Sequence, residues 1–365
     1  LEFRRVLFRS YNLPFSPLSF MSAASHHTLS QDRDLDLFAA YGRVAPGRGQ
    51  TLTLPAPTGS ADAWLNAQWA TAIRDAPTTT SRVHGAGLLV VCEQALDAQR
   101  LSEEIPFFAP MARVRLLPDW ETLPYEVFSP HQDLVSERLL TLYEATTGAL
   151  DVLVIAASTA LQRIAPPSFL AAQTFFFRKG QTISADVLRA QLHTAGYAPV
   201  TQVVTPGEYA LRGGIIDLYP TGATLPYRIE LIGDEVESLR VFDPDSQRTV
   251  HPVQEIRLLP GREFPSHEHS AQDFRARWRE VFEGDPSRCS LYKDAGKGIF
   301  GAGIEYYLPL LFEQTASIFD YLPTDCMRIV TLGAVETAFD DFHRDLQSRY
   351  AFLKADIERP VLAPA

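Results

Sequence analysis

The 365-residue sequence has few cysteines, no long apolar run and no concentration of basic charge. Its three cysteines, Cys92, Cys289 and Cys326, are far apart and odd in number, so they predict neither a disulfide framework nor a zinc cluster. Apolar runs such as Leu88–Cys92 and Val152–Ala157 have the length of strands, whereas a membrane span needs about 18 apolar residues. We therefore expect a protein of the reducing cytoplasm that does not cross a bilayer.

The formal net charge is -11 at pH 7, and the basic residues are scattered singly or in pairs. A protein that grips nucleic acid by its phosphates needs clustered positive charge. This composition disfavours tight nucleic-acid binding by the chain alone. The first ten residues (LEFRRVLFRS) have a net positive charge, whereas the rest of the chain is acidic. We therefore interpret residues 1–20 as a foreign or disordered leader, with Met21 as the candidate natural start.

The length predicts two to three domains. From about residue 50, short apolar runs alternate with helical periodicity, which is typical of a parallel α/β sheet. Ser60 and Asp133 are candidate helix caps in this part. The strands expected here are Thr51–Leu54, Leu88–Cys92, Val114–Leu117 and Asp151–Ala156.

After Pro167 the pattern changes to a helix over 184–195 followed by several β-like segments, which predicts a smaller α+β domain. Beyond Pro260 the chain returns to helices around one strand at Met327–Val330. The strands expected in the middle part are Pro199–Val204, Gly213–Tyr219, Tyr227–Ile232 and Val236–Phe242.

Residues 56–63 (APTGSADA) lie at a strand-loop-helix junction, where an α/β nucleotidase keeps its phosphate loop. Such a loop needs a lysine for the phosphate charges and a hydroxyl for Mg²⁺. Asp62 stands where the lysine belongs, and Ala63 has no hydroxyl. The sequence therefore favours an ordinary helix start capped by Ser60 over a working nucleotide site.

Two other motifs are weak. Residues 296–301 (GKGIFG) match the dinucleotide fingerprint but do not follow a buried strand, so a glycine turn is favoured. His267 and His269 lack a third ligand at metal spacing, so we expect a solvated loop and no metal site. We nominate no catalytic residue, because neither a nucleophile elbow nor a Cys-His pair is present.

The segment Tyr227–Ile232 alternates with period two, which sends Ile229 to one face of the strand and Arg228 and Ile232 to the other. Arg212 joins the second face if the flanking strands pair across the Thr221-Gly222 turn. Arginine beside exposed aliphatic surface is typical of a protein-binding hot spot, although a solvated sheet face has the same composition.

Five motifs in order resemble the amino-terminal module of bacterial transcription-repair coupling factors, which is similar to the damage-recognition helicase UvrB. The motifs are 117–125 (LPDWETLPY), 128–133 (FSPHQD), 207–214 (GEYALRGG), 242–249 (FDPDSQRT) and 303–307 (GIEYY). The resemblance implies an α/β fold with a degenerate P-loop, helicase-like parallel-sheet domain in two chain segments and a small inserted α+β domain. Its expected bounds are 21–173 and 260–350 for the two segments, 174–259 for the insert and 351–365 for a truncated linker.

The resemblance also explains the missing chemistry. UvrB carries a phosphate loop at residues 56–63 of this numbering and an acidic pair where this chain has Thr331 and Leu332. The expected degenerate nucleotide site thus comprises Gly59, Ser60, Asp62, Ala63, Thr331 and Leu332, and we expect no cofactor and no enzyme activity. The long DNA-gripping hairpin of UvrB is also missing between Tyr125 and Asp151.

The implied function is that of an adaptor that recruits UvrA to lesions where RNA polymerase has stalled. The resemblance assigns the UvrA contacts to Arg212, Arg228 and Ile232, with both guanidiniums expected to form forked bonds to acidic groups of the partner. RNA polymerase and DNA are expected to bind only through domains missing from this chain. The alternatives are an autoinhibitory domain that masks the same face and an active UvrB-like ATPase or helicase.

Overall fold

The computed structural model describes residues 49, 51, 53–54, 57–75, 87–322 and 327–364; the predicted leader, Met21, Ala56 and Cys326 lie outside the described residues. The helices are α1 (Ala61–Asp75), α2 (Ala95–Phe108), α3 (Gln132–Thr146), α4 (Ala157–Ala160), α5 (Pro167–Ala172), α6 (Ala185–Thr194), α7 (Glu268–Val281), α8 (Ser290–Ala295), α9 (Leu308–Leu311) and α10 (Val335–Leu353). Short 3₁₀ turns cover Pro286–Arg288, Ile304–Tyr307 and Ile318–Tyr321. The strands are β1 (Leu88–Cys92), β2 (Val114–Leu117), β3 (Val152–Ala156), β4 (Phe175–Arg178), β5 (Ala198–Pro199), β6 (Glu208–Arg212), β7 (Ile215–Tyr219), β8 (Tyr227–Ile232), β9 (Glu235–Phe242), β10 (Thr249–Pro252), β11 (Glu255–Leu258) and β12 (Arg328–Leu332).

The described part of the α/β domain contains a four-stranded parallel sheet in the order β12-β1-β3-β2. Strands β1 and β3 are buried throughout, as their continuous apolar runs predict for a sheet covered on both faces. Helices α1 and α2 pack on one face, and α3, α4 and α5 pack on the other. Because β12 joins this sheet from the far end of the chain, the sheet is built from two chain segments. The predicted α/β class with a parallel sheet is confirmed.

A second, six-stranded sheet has the order β10-β9-β8-β7-β6-β5 and is antiparallel except for the β5-β6 pair. Helix α6 begins after Ser184, whose hydroxyl accepts a hydrogen bond from Val187 N, and it buries Leu188 and Leu192 against the sheet. The predicted pairing of Gly213–Tyr219 with Tyr227–Ile232 is confirmed. We call the side of this sheet away from α6 the outer face.

Three local predictions are wrong. The described residues of Thr51–Leu54 form no strand. The predicted strand Pro199–Val204 ends at Pro199, because Val203 turns inward and the carboxylate of Glu208 accepts hydrogen bonds from the next two backbone amides. Helix α3 begins at Gln132, and its cap is the His131 ring rather than Asp133.

A buried ion pair joins α3 to the segment that follows β11, a strand that pairs with β4 in a separate two-stranded sheet. Nε of Arg138 lies 2.6 Å from Oε1 of Glu263, and its Nη1 donates to the Pro118 carbonyl at 2.6 Å. Both charged side chains are inaccessible to solvent. The Ser136 hydroxyl on the same helix accepts a hydrogen bond from Gly222 N at 2.8 Å. Helix α3 therefore holds the six-stranded sheet against the parallel-sheet domain.

The chain beyond α10 packs back onto the protein. The Tyr307 hydroxyl donates to the Pro360 carbonyl at 2.9 Å, and the Tyr125 hydroxyl donates to the Leu362 carbonyl at 2.8 Å. Arg359 donates to the Glu126 carbonyl. The described part of the predicted linker is thus bound to an aromatic cluster. No helix among the described residues has the length and apolar character needed to cross a bilayer.

Candidate functional site

The loop that leads into α1 is the predicted remnant of a nucleotide site. Gly59 has a left-handed backbone (φ 60°), and α1 starts directly after Ser60. Asp62 is buried, and its Oδ2 lies 2.6 Å from Nη2 of Arg100 on α2; this hydrogen bond raises the pKa of Arg100. Ala63 is completely buried. The carboxylate at the lysine position is therefore already paired within the protein.

The other predicted half of that site lies at the carboxyl end of β12. Leu332 packs against the same hydrophobic cluster as Ala63, so the fold brings the two halves together, while Thr331 is exposed. Glu93, which sequence reasoning missed, follows β1 at this edge and accepts a hydrogen bond from Ala334 N at 2.6 Å. Its carboxylate is thus used to close the turn after β12.

The two weak motifs of the sequence lie at a glycine turn and at the start of a helix. Residues 296–301 follow α8 rather than a strand, and Gly298 has a left-handed backbone (φ 75°), as a glycine turn requires. His267 caps α7 by accepting a hydrogen bond from Ser270 N at 3.1 Å, which replaces the predicted solvated loop with a helix start. No group of three potential metal-ligating side chains occurs among the described residues.

The 303–307 motif lines a cavity of about 250 Å³ between the two chain segments. Glu305 is buried there, which raises the pKa of its carboxyl group, and its Oε2 accepts a hydrogen bond from the Ser129 hydroxyl at 2.8 Å. Ser129 also accepts from Gly303 N at 3.0 Å, and Arg262 forms part of the wall. These bonds tie the 128–133 and 303–307 motifs to each other.

The outer face of the six-stranded sheet carries the predicted protein-binding residues. The register aligns Arg212 with Ile215 and aligns Ile215 with Glu230, which forms one row across three strands. The neighbouring row contains Asp217 and Arg228. Side chains alternate between the faces of a strand, so these residues project from the same side.

Arg228 is bound within its own sheet. Its Nε and Nη2 donate to the two carboxylate oxygens of the buried Asp217 at 2.6 and 2.9 Å, and Nη1 donates to the Gln247 carbonyl at 3.3 Å. The hydrogen bonds to Asp217 raise the pKa of Arg228. The guanidinium also lies over the Phe242 ring, 4.9 Å from its centroid. The forked donor that we expected to face a partner is occupied by Asp217.

Arg212 is exposed at the end of β6. Within the described part of the chain, its Nη2 donates one hydrogen bond, to the Thr201 carbonyl. Thr201 belongs to residues 200–206, which run between β5 and β6 and which we call the strap. Val203 of the strap is buried against Ala210 and Phe242, so the strap covers one part of the outer face. Arg212 stands at its margin with further N–H donors available.

Ile232, the third predicted contact, is 70% exposed at the end of β8. Ile215 is 40% exposed and lies on the same face, although sequence reasoning missed it. The sequence carried a signal for this exposure. Along β7, Ile215 alternates in step with the polar Asp217, whereas the core residues Ile216 and Leu218 occupy the opposite face.

Comparison with known proteins places this face in a recognised domain. The UvrB interaction domain family matches residues 175–264. A transcription-repair-coupling factor from Escherichia coli K12 is 43% identical over 282 residues, which are 77% of this chain and 24% of that protein. The chain belongs to the transcription-repair-coupling factor family. The factor from Haemophilus influenzae is 39% identical over 76% of this chain and 24% of its own length, and that from Myxococcus xanthus is 32% identical over 66% and 21%.

The chain spans about a quarter of the length of these coupling factors and corresponds to their amino-terminal UvrB-like module. Strands β4 to β11 all fall within the UvrB interaction domain, and with them the whole outer face. The Asp62–Arg100 pair and the end of β12 lie outside that domain.

Proposed function

We propose that this chain is the UvrA-recruiting module of a transcription-repair-coupling factor, which links a stalled RNA polymerase to nucleotide excision repair in the cytoplasm. The observation that carries the proposal is the match of residues 175–264 to the UvrB interaction domain. RNA polymerase and DNA would be engaged by parts of the longer coupling factor that are not in this chain.

The UvrA contacts proposed from the family resemblance are Arg212, Arg228 and Ile232. Their common position on the outer face supports this assignment, because one partner surface can reach all three from the same side. The exposed side chains of Arg212 and Ile232 supply the mixture of charge-assisted hydrogen bonds and apolar contact that protein interfaces use.

We further propose that this module has no ATPase or helicase activity, and that its parallel-sheet domain is a degenerate helicase-like domain built from residues 21–173 and 260–350, with 174–259 inserted. The Asp62–Arg100 pair supports the loss of nucleotide chemistry. A triphosphate at this loop would meet a carboxylate instead of a lysine.

The proposal is tested by calorimetric titration of the 365-residue chain with purified UvrA from Escherichia coli, the organism of a 43% identical relative. We expect saturable binding with one site per UvrA protomer. Denatured chain serves as the control for non-specific heat. Absence of saturable binding at micromolar concentrations would contradict the proposed function.

A further inference from the structure

The outer face is covered at one end and open at the other. The strap seals the covered end, where Val203 and Phe242 are completely buried. The open end contains Arg212, Ile215 and Ile232. A partner that lands on this sheet therefore meets the open end without first displacing any part of the chain that the structure describes.

The open end carries two exposed isoleucines, Ile215 and Ile232. Ile215 pairs directly with Glu230, and Ile232 is two residues further along the same strand. Ile215 and Ile232 are thus diagonal neighbours on one face, and such neighbours have Cα atoms roughly 7–8 Å apart, close enough for long side chains to meet. Two large exposed aliphatic residues side by side form a contact area that a lone surface isoleucine does not provide.

The charges around these two isoleucines define the chemistry of the partner. Arg212 lies directly across from Ile215, and among the residues that the structure describes it donates one hydrogen bond, which leaves further N–H donors for an acceptor. The carboxylate of Glu230 is drawn towards β9 by the Ser238 hydroxyl, at 2.5 Å. The complementary surface is therefore an apolar patch bordered by a carboxylate that faces Arg212. A phosphate backbone is a poor fit, because it has no apolar patch and would approach Glu230 and a chain of net charge -11.

We infer that Ile215 is a direct contact at the centre of the docking surface, with Arg212 and Ile232 on either side of it, and that UvrA is the occupant. The inference rests on the proposed function. The inference places the UvrA contact at the open end of the outer face. Arg228 is paired with Asp217 and therefore lies beneath this contact rather than at its centre.

The test compares Ile215→Thr with Ile299→Thr in the calorimetric titration with UvrA. Threonine keeps the β-branched shape that suits a strand and removes apolar contact area. Ile299 is a matched control, because it is an exposed isoleucine (55%) outside the UvrB interaction domain. We expect Ile215→Thr to weaken UvrA binding about tenfold and Ile299→Thr to leave it unchanged.

Hydrogen exchange of the unaltered chain gives a readout that depends on no variant. Addition of UvrA should slow amide exchange in Arg212–Ile216 and Glu230–Asp234 more than in α6. The inference would be overturned if UvrA still binds but Ile215→Thr has unchanged affinity and these two segments show unchanged exchange. The proposed function would then still stand. Failure of the unaltered chain to bind UvrA would instead remove the proposed function. Protection of the same segments on concentrating the chain alone would identify a second copy as the occupant and would also overturn the inference.

Discussion

Arg228 and Asp217 face each other across β8 and β7 and form a bidentate ion pair whose carboxylate is buried. The third guanidinium nitrogen, Nη1, does not bind Asp217 and donates to the Gln247 carbonyl. Gln247 has a left-handed backbone (φ 58°), and its side-chain amide donates to the Val203 carbonyl at 3.1 Å. Arg228 is therefore part of a network that fixes the strap, as well as a candidate contact for a partner.

Arg228→Ala should destabilise the protein as well as affect the outer face. Removal of the guanidinium leaves Asp217 buried without a counter-charge, which typically costs about 3 kcal/mol. Urea unfolding followed by circular dichroism measures the loss. The double variant Asp217→Asn with Arg228→Gln should recover part of it, because no buried charge remains unpaired. A midpoint for Arg228→Ala equal to that of the unaltered chain would show that the pair is not needed for folding.

Arg212→Ala should weaken UvrA binding with little effect on stability, because this side chain is exposed and makes one hydrogen bond to the strap. Loss of a hot-spot arginine typically costs about 2 kcal/mol, or roughly thirtyfold in affinity. Arg189→Ala on α6 is the matched control, since Arg189 is exposed on the other side of the domain. Equal affinities of the two variants in the titration would exclude Arg212 from the interface.

The chain should not bind ATP. Asp62 replaces the phosphate-binding lysine and is paired with Arg100, and Thr331 and Leu332 supply no Mg²⁺-binding carboxylate. Titration with a fluorescent ATP analogue in the presence of Mg²⁺ should give no saturable signal. Asp62→Lys should not restore binding, because it places two cations together at the start of α1. Micromolar, Mg²⁺-dependent binding by the unaltered chain would refute this prediction.

Glu305→Gln should stabilise the protein at neutral pH. Burial raises the pKa of the Glu305 carboxyl above its usual 4.5, so the folded state holds the proton more tightly than the unfolded state does. The stability contributed by the protonated form is complete below pH 4.5 and is lost as the pH rises through the raised pKa. Glutamine keeps an acceptor for Ser129 without the charge.

Unfolding midpoints of Glu305→Gln and the unaltered chain, taken at about pH 4, 6 and 8, measure this effect. The advantage of Glu305→Gln should grow with pH and vanish at the acid end. Glu283→Gln, at an exposed position, is the control and should show no such trend. A constant difference between Glu305→Gln and the unaltered chain at all pH values would contradict the assignment.

The chain alone should bind duplex DNA weakly and without sequence preference, because its net charge is -11 and its basic residues are dispersed. A mobility-shift assay near physiological salt should show no complex at low micromolar protein. A tight complex under these conditions would contradict the prediction. It would mean that the fold brings basic residues that are distant in the sequence together on one surface.

The sequence determined the parts of this protein that depend on local pattern. The apolar runs Leu88–Cys92 and Val152–Ala156 became the two central strands, since a run without polar residues has to be buried on both faces. Period-two alternation placed Ile229 in the core and Arg228 and Ile232 on the outer face. The replacement of a lysine by Asp62 is equally visible without coordinates.

Only the tertiary structure decided which charged and apolar groups meet. Asp62 with Arg100, and Asp217 with Arg228, are pairs whose members lie on different elements, so no local spacing predicts them. The same holds for Ile215 and Ile232, whose neighbourhood depends on the strand register. The sequence presented Arg212 and Arg228 as equivalent, because a period of two gives the face of a side chain and nothing of its partners. The fold separated them by burying a carboxylate beside one and leaving the other at the edge of an open surface.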